Sequence, residues 1–167
     1  MKNVMKKLFS LLLVGVIAVS MFSFVAPNSV DAKEAKPSRG TVYVYQNAMW
    51  STFRNAKYFV YFYNASGNKI SSHSVHLYVK KGAHFPIPLE AKTVTIEVQS
   101  AMLGGISWET VVNHKFELVE NSESLEGSIS VTGHGSGFGP YTAQNSTGCW
   151  KYAGQIPLPK RPHNPLT

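Results

Sequence analysis

Short segments in which apolar and polar residues alternate run through this chain from residue 41 onward, and they restrict it to a fold built from strands. Residues 75–79 alternate valine and leucine with histidine and tyrosine, and residues 94–98 alternate valine and isoleucine with threonine and glutamate. Alternation with a period of two places all the apolar side chains of a strand on one face. Because no segment shows a sustained helical period, the sequence predicts an all-β protein.

About seven such segments, separated by clusters of glycine, proline and asparagine, follow one another within roughly 110 residues. Short strands at this spacing are typical of an antiparallel β-sandwich, in which two sheets bury their apolar faces against each other. The predicted sandwich occupies residues 41–143, after a flexible leader at 33–40 and before a proline-rich C-terminal tail at 144–167. Proline cannot donate the backbone hydrogen bond that a central strand needs, so we expect the tail to lie outside the sheets.

The N-terminal segment has the features of a secretory signal peptide. Three lysines precede a long, mainly apolar run from Leu8 to Val25, and Val30 and Ala32 are small residues at the two positions that a signal peptidase reads. The sequence therefore predicts a signal peptide at residues 1–32, cleavage after Ala32 and a secreted, extracellular protein. An uncleaved membrane anchor is the alternative.

Charge and cysteine content exclude several functional classes. The chain has 16 basic and nine acidic residues, and removal of residues 1–32 leaves 13 and eight, a net charge of +5. This modest excess favours anionic surfaces such as teichoic acids or acidic lipid headgroups, whereas no basic run interleaved with aromatics supports nucleic-acid binding. Cys149 is the only cysteine, so an internal disulfide and a multi-cysteine zinc site are excluded. We expect Cys149 to be an idle or oxidisable thiol in a mobile tail.

The titratable residues form no recognisable catalytic or metal-binding pattern. His73 and His76 are three residues apart, which places them on opposite faces of a strand, and the other histidines have no acidic residue or cysteine at ligand spacing. We expect these histidines to be surface residues or hydrogen-bonded structural residues. The glutamates between residues 117 and 126 indicate a solvated loop. The sequence thus predicts a protein that is not an enzyme and has no cofactor and no metal site.

One segment carries apolar residues where a loop is expected. Leu103, Ile106 and Trp108 flank the glycine pair Gly104 and Gly105, directly after a predicted strand. Apolar side chains at a loop tip are poorly placed for a core and well placed for a membrane or a protein partner. The residues alone leave two interpretations open, because Ile106 and Trp108 either form a contact surface or fold back onto the sandwich.

Three short motifs follow one another in this part of the chain: Ala-His-Phe at 83–85, Ile-Pro-Leu at 87–89 and Gly-Ile-Ser-Trp-Glu at 105–109. This series resembles the C-terminal membrane-binding domain of the cholesterol-dependent (thiol-activated) cytolysins. Members of that family carry Ala-His-aromatic, Ile-Pro-Leu and a strand that leads into the undecapeptide ECTGLAWEWWR. Further on, Ile-Ser-Val-Thr-Gly at 129–133 is similar to the family's Ile-Ser-Ile-Trp-Gly strand, which precedes its cholesterol-recognising loop.

The chain departs from the family's pattern at three places. Glu109 is followed by Thr110, where the family continues with Trp-Trp-Arg, and Leu103 stands where the family has its cysteine. Residues 134–138 replace the Thr-Leu pair credited with cholesterol recognition. The resemblance covers roughly residues 41–143, so we expect a module without the family's pore-forming domains.

The resemblance implies a secreted, non-enzymatic binding module that contacts membrane lipid or sterol through its loop tips. The alternative is a secreted sandwich that binds a glycan or a protein partner, for example to modulate a toxin, and has no membrane affinity. The missing Thr-Leu pair and Trp-Trp-Arg sequence favour this alternative. The contact residues implied for either function are Leu103, Gly104, Gly105, Ile106, Trp108 and Glu109 in one loop and His134 and Phe138 in another.

Overall fold

The structure, a computed structural model, describes residues 37–47, 55–102, 107–136 and 139–159. The predicted signal peptide lies outside these residues. The described residues form strands and turns, and among them no helix is present that could span a membrane. The strands are β1 (Ser38–Gln46), β2 (Ala56–Tyr63), β3 (Lys69–Leu77), β4 (Lys81–Pro88), β5 (Thr93–Met102), β6 (Ser107–Leu118), β7 (Gly127–Ser136), β8 (Gly139–Gly148) and β9 (Trp150–Gln155).

The strands form two sheets that enclose one core. The four-stranded sheet has the order β4-β1-β7-β8, and the five-stranded sheet has the order β3-β2-β5-β6-β9. The all-β sandwich predicted from the alternation is confirmed. Among the described strands, β1 and β7 pair in parallel, whereas the other neighbours are antiparallel. Strands β1 and β7 are far apart in the chain, so no hairpin turn imposes an antiparallel direction on them.

The core consists of apolar side chains at every second position of the strands. In β2, Tyr58, Val60 and Phe62 are fully buried, while the residues between them are half-buried on the outer face. Strands β5 and β6 contribute in the same way, and Phe116 and Ile129 fill the space between the two sheets. The period-two pattern at residues 94–98 therefore correctly predicts which face of β5 points inward, since Val94, Ile96 and Val98 are fully buried.

The sandwich extends beyond the boundary predicted at residue 143. Strand β8 continues to Gly148, and β9 pairs with β6 as a strand of the five-stranded sheet. Between them, Cys149 and Trp150 are buried, and the Trp150 indole N–H donates a hydrogen bond to the carbonyl of Arg39 at 3.2 Å. Cys149 thus lies in the folded domain, not in a mobile tail. Strand β8 could not be predicted from the sequence, because it is an edge strand and its polar side chains resemble those of a loop.

Three glycines lie side by side across the four-stranded sheet. Gly40 on β1 pairs with Gly127 on β7, and Gly127 pairs with Gly148 on β8. Gly40 has a φ of +112°, and a Cβ atom at Gly40 would overlap the carbonyl oxygen of Gly127. The backbones of β1 and β7 therefore approach closely at a point where only glycine fits. Gly40 belongs to β1, which begins at Ser38. The last residues of the predicted flexible leader at 33–40 are therefore part of a strand.

His114 is a buried histidine that links the two sheets. It lies on β6, and its Nε2 is hydrogen-bonded to the Thr142 hydroxyl on β8 at 2.7 Å. Its Nδ1 is hydrogen-bonded to the Tyr152 hydroxyl on β9 at 3.2 Å. Burial lowers the pKa of His114 below its ordinary value of 6.5, because desolvation disfavours the charged imidazolium. His114 is thus a hydrogen-bonded structural histidine of the kind that the sequence predicts.

We expect the free energy of unfolding to decrease as the pH falls below about 6.5. The unfolded chain then takes up a proton on His114, whereas the folded protein resists protonation until its lower pKa is reached. This difference costs up to about 1.4 kcal/mol of stability per pH unit. Urea unfolding between about pH 5 and pH 7.5 tests the effect. His114→Gln should flatten the pH dependence, whereas His84→Gln, at an exposed histidine, should not. Equal slopes for wild type and His114→Gln would contradict the prediction.

Candidate functional site

The end of β5 and the beginning of β6 lie at one end of the sandwich, which we call the β5–β6 end. The backbone N–H of Lys80 donates to the Gln46 carbonyl at 2.7 Å, and the N–H of Asn47 donates to the Gly133 carbonyl at 2.8 Å. Tyr58, near the start of β2, donates its hydroxyl to the side-chain oxygen of Gln46 at 2.7 Å. Burial raises the pKa of Tyr58, so the hydroxyl stays protonated. These bonds bring β1, β7 and the turn after β3 to the β5–β6 end.

Trp108, Glu109 and His134 are the predicted contact residues that the structure describes. The strands that flank the two predicted loops, β5 with β6 and β7 with β8, pair up to the β5–β6 end. The remaining predicted contact residues lie outside the described residues; they are Leu103, Gly104, Gly105, Ile106 and Phe138.

Trp108 belongs to an aromatic–basic cluster on the outer face of the five-stranded sheet, formed by Lys57, His76, Tyr78 and Trp108. The Lys57 ammonium lies 4.2 Å from the centroid of the Trp108 ring, which is cation–π geometry. The His76 ring meets the Trp108 ring edge to face at 5.0 Å and stacks on Tyr78 at 4.8 Å. A shallow cavity of about 250 Å³ lies next to Lys57 and His76. Tyr78 is 59% exposed, so the cluster presents an aromatic ring to solvent.

A β-bulge in β6 turns Trp108 to the outer face of the sheet. Two neighbouring residues of β5, Val98 and Gln99, pair with Val112 and Thr110, so β6 contains one extra residue at this point. In a regular strand Trp108 would share the inward face of Val112, four positions away. The extra residue reverses the alternation, and Trp108 faces outward with Thr110.

Glu109 lines a groove whose lining contains no residue of the aromatic–basic cluster. The groove has a volume of about 600 Å³ and lies between β6 and the segment that follows β9. Oε1 of Glu97 accepts hydrogen bonds from Gln99 Nε2 at 2.8 Å and from the Thr110 hydroxyl at 2.5 Å. The carboxylate of Glu97 is therefore held by its neighbours. The groove is lined by Glu97, Glu109, Thr110, Asn113, Pro157, Leu158 and Pro159.

His134 lies on the outer face of the four-stranded sheet. Its ring stacks on that of Tyr141, its partner across β7 and β8, with the centroids 5.0 Å apart and an angle of 10° between the planes. Trp108 belongs to the other sheet. The structure thus distributes the described site residues over the two sheets, near the same end of the sandwich.

The sequence does not single out Lys57, His76 or Tyr78 as site residues. Lys57 and His76 face each other across β2 and β3, and both meet Trp108 only because β5 and β6 pair in the bulged register. A local pattern cannot reveal such pairing. The one local signal is the alternation of His76 and Tyr78 along the polar face of a predicted strand.

No protein-family model and no curated protein matches this sequence. The solved structures that it matches include cholesterol-dependent cytolysins. Listeriolysin O is 14% identical, with 64% of this chain and 22% of that chain covered and a TM-score of 0.43. Suilysin from Streptococcus suis is 20% identical, with 65% and 23% covered and a TM-score of 0.41.

The membrane-binding domain of pneumolysin, solved by itself, is 13% identical, with 64% of this chain and 95% of that chain covered and a TM-score of 0.40. This chain therefore spans less than a quarter of listeriolysin O and suilysin and almost all of the isolated pneumolysin domain. At TM-scores below 0.5, these likenesses assign no function to this chain. Listeriolysin O, suilysin and pneumolysin are members of the family whose sequence motifs this chain resembles.

Proposed function

We propose that the protein is a secreted, non-enzymatic binding module that contacts membrane lipid or sterol through the β5–β6 end. The observation that carries the proposal is the aromatic–basic cluster at this end. Tyrosine and tryptophan combine an apolar ring with a polar group, so they are stable at the headgroup boundary of a bilayer. Tyr78 is 59% exposed and stacks on His76, which in turn contacts Trp108. Trp108 lies at the start of β6, which directly follows residues 103–106.

Basic residues support the proposal at the same end. Lys57 lies in the cluster, and Lys80 and Lys81 are exposed in the turn between β3 and β4. A lysine close to an anionic membrane surface contributes about 1 kcal/mol of binding free energy. The cluster is therefore suited to acidic lipid headgroups.

Apolar residues of the predicted loops would add to this contact. Leu103, Ile106 and Phe138 are attached to strands that reach the β5–β6 end. Burial of one such side chain contributes roughly 1.5–3 kcal/mol. Three of them, together with the lysines, are sufficient for reversible adsorption after the entropic cost of association.

Co-sedimentation with vesicles tests the proposal. The purified protein should pellet with vesicles of phosphatidylcholine and phosphatidylserine, and the addition of cholesterol shows whether a sterol is recognised. The double variant Tyr78→Ala, Trp108→Ala should bind at least about tenfold more weakly, because it loses two interfacial rings. The matched control is Tyr43→Ala, since Tyr43 is also an exposed tyrosine but lies on the other sheet. Thermal unfolding shows whether each variant is folded.

The outcomes separate the candidate ligands. Pelleting that requires cholesterol would establish sterol recognition despite the missing Thr-Leu pair. Pelleting with all vesicles would indicate a general lipid contact. If the wild-type protein pellets with none of them, or if the folded double variant pellets as wild type does, the β5–β6 end is not a membrane-contact site. The glycan or protein alternative would then remain.

A further inference from the structure

The part of the four-stranded sheet that β7 and β8 form is uncharged. No aspartate, glutamate, lysine or arginine occurs anywhere in the β7–β8 hairpin from Gly127 to Gly148. The neighbouring strand β1 presents Thr41, Tyr43 and Tyr45 outward, and it carries Arg39 at its start, where Nε donates to the Leu89 carbonyl. The outer face of the five-stranded sheet differs, since it carries Lys57 and the ion pair between Lys115 and Glu117 at 2.6 Å. The chain has a formal net charge of +7, so the absence of charged residues from β7 and β8 is a local property.

Two pairs of nearly parallel aromatic rings stand on the outer face of this sheet. Tyr43 and Tyr45 on β1 stack with their centroids 6.2 Å apart and an angle of 13° between the planes. His134 and Tyr141 stack at 5.0 Å with an angle of 10°. Tyr43 is 43% exposed and Tyr141 is 54% exposed. The face therefore offers flat aromatic surfaces to a ligand on two sides.

Hydroxyl and amide groups fill the space between the ring pairs. Ser130 and Thr132 on β7 lie beside Tyr43 and Tyr45 in the register. Asn145 on β8 lies opposite Ser130. Strands are about 4.8 Å apart, and residues on the same face of a strand are about 6.7 Å apart, so these groups form a regular grid. Each hydroxyl or amide can both donate and accept hydrogen bonds without carrying a charge.

We infer that this face binds a neutral glycan. A sugar ring has an apolar C–H face that packs on a flat aromatic ring, and it has hydroxyls that both donate and accept hydrogen bonds. The parallel ring pairs match the first property, and the grid of hydroxyl and amide groups matches the second. Nucleic acids, anionic glycans and acidic lipids would find no lysine or arginine on β7 or β8. The surface and the ligand class differ from those of the membrane contact proposed above.

An array of printed glycans tests this inference with the purified protein. The array should contain neutral oligosaccharides together with sialylated and sulfated ones, and we expect binding to neutral glycans only. Tyr43→Ala should weaken this binding roughly tenfold, because truncation of a central aromatic contact commonly costs more than 1 kcal/mol. Ala143→Glu should have a similar effect, since it places a charge on the face at an exposed position between Tyr141 and Asn145. Tyr78→Ala, at an exposed tyrosine on the other sheet, should bind as wild type does.

The second variant protects the test against misfolding. Tyr43→Ala removes a stacked ring, whereas Ala143→Glu removes no packed side chain. A loss of glycan binding in both variants is therefore not explained by the loss of one packed ring. Absence of binding to every neutral glycan, or binding restricted to anionic glycans, would overturn the inference. Loss of vesicle pelleting in Tyr43→Ala with unchanged glycan binding would also overturn it, because the face would then belong to the membrane contact. If the Tyr78→Ala, Trp108→Ala variant pellets with vesicles as wild type does, the membrane-contact proposal fails. The glycan result is not affected, because the two tests concern different surfaces.

Discussion

Substitution of Gly40 by alanine is expected to lower the free energy of unfolding by about 4 kcal/mol. The φ of +112° at Gly40 is a backbone conformation that residues with a side chain rarely adopt, and this strain costs roughly 1–3 kcal/mol. The new Cβ would also overlap the Gly127 carbonyl oxygen, so β1 would have to move away from β7, at a further cost of about 1–3 kcal/mol. Strand β1 carries Val42 and Val44 into the core, so its displacement affects the packing between the sheets.

Gly154→Ala is the matched control for Gly40→Ala. Gly154 has a φ of +105°, close to that of Gly40, but a Cβ there would meet no atom within 4 Å. The control therefore carries the backbone strain without the contact between strands. Urea unfolding of both variants, followed by circular dichroism, should show a clearly larger loss for Gly40→Ala. Equal losses would mean that the close approach of β1 and β7 contributes nothing.

Trp150→Ala is expected to destabilise the protein by about 3–5 kcal/mol, the usual range for truncation of a large buried aromatic residue. Trp150 is only 3% exposed, and its indole lies over the row of glycines near Gly127. The variant loses this packing and also leaves the Arg39 carbonyl without the indole N–H as a donor. Thermal and urea unfolding measure the effect.

Trp150→Phe separates packing from hydrogen bonding at this position. It keeps most of the buried ring and loses the bond to Arg39, so we expect a loss of about 1–2 kcal/mol. A chain that ends at residue 143 lacks β9 and half of β8, and we expect it not to fold. If Trp150→Ala were as stable as wild type, or the shortened chain folded, the C-terminal strands would not belong to the cooperative unit.

The parts of the fold that depend on local alternation could be predicted, and those that depend on strand pairing could not. The apolar positions of β5 and their inward face follow from the pattern at residues 94–98. Strand β8 could not be recognised, because an edge strand with one face in water has too few apolar residues to show a period. The parallel contact of Gly40 with Gly127 joins distant positions of the chain, and no short window contains both.

The same distinction holds for the candidate site. The sequence identifies Trp108 as a residue near a loop but leaves its direction open, because one extra residue in β6 decides which face it occupies. Lys57 and His76 become its neighbours through the register of three strand pairs. The absence of charged residues from positions 127–148 can be read from the sequence. That these residues form one continuous surface follows only from the pairing of β7 with β8.

The parallel pairing of β1 with β7 has a consequence for the order in which the protein folds. The first strand of the domain lies inside the four-stranded sheet, held between β4 and β7, and the five-stranded sheet is completed by the last strand, β9. Long loops must therefore close before these contacts form, which slows folding. A nascent chain cannot complete the two sheets until β8 and β9 have been synthesised. The domain therefore reaches its complete fold only when nearly all of its strands are available.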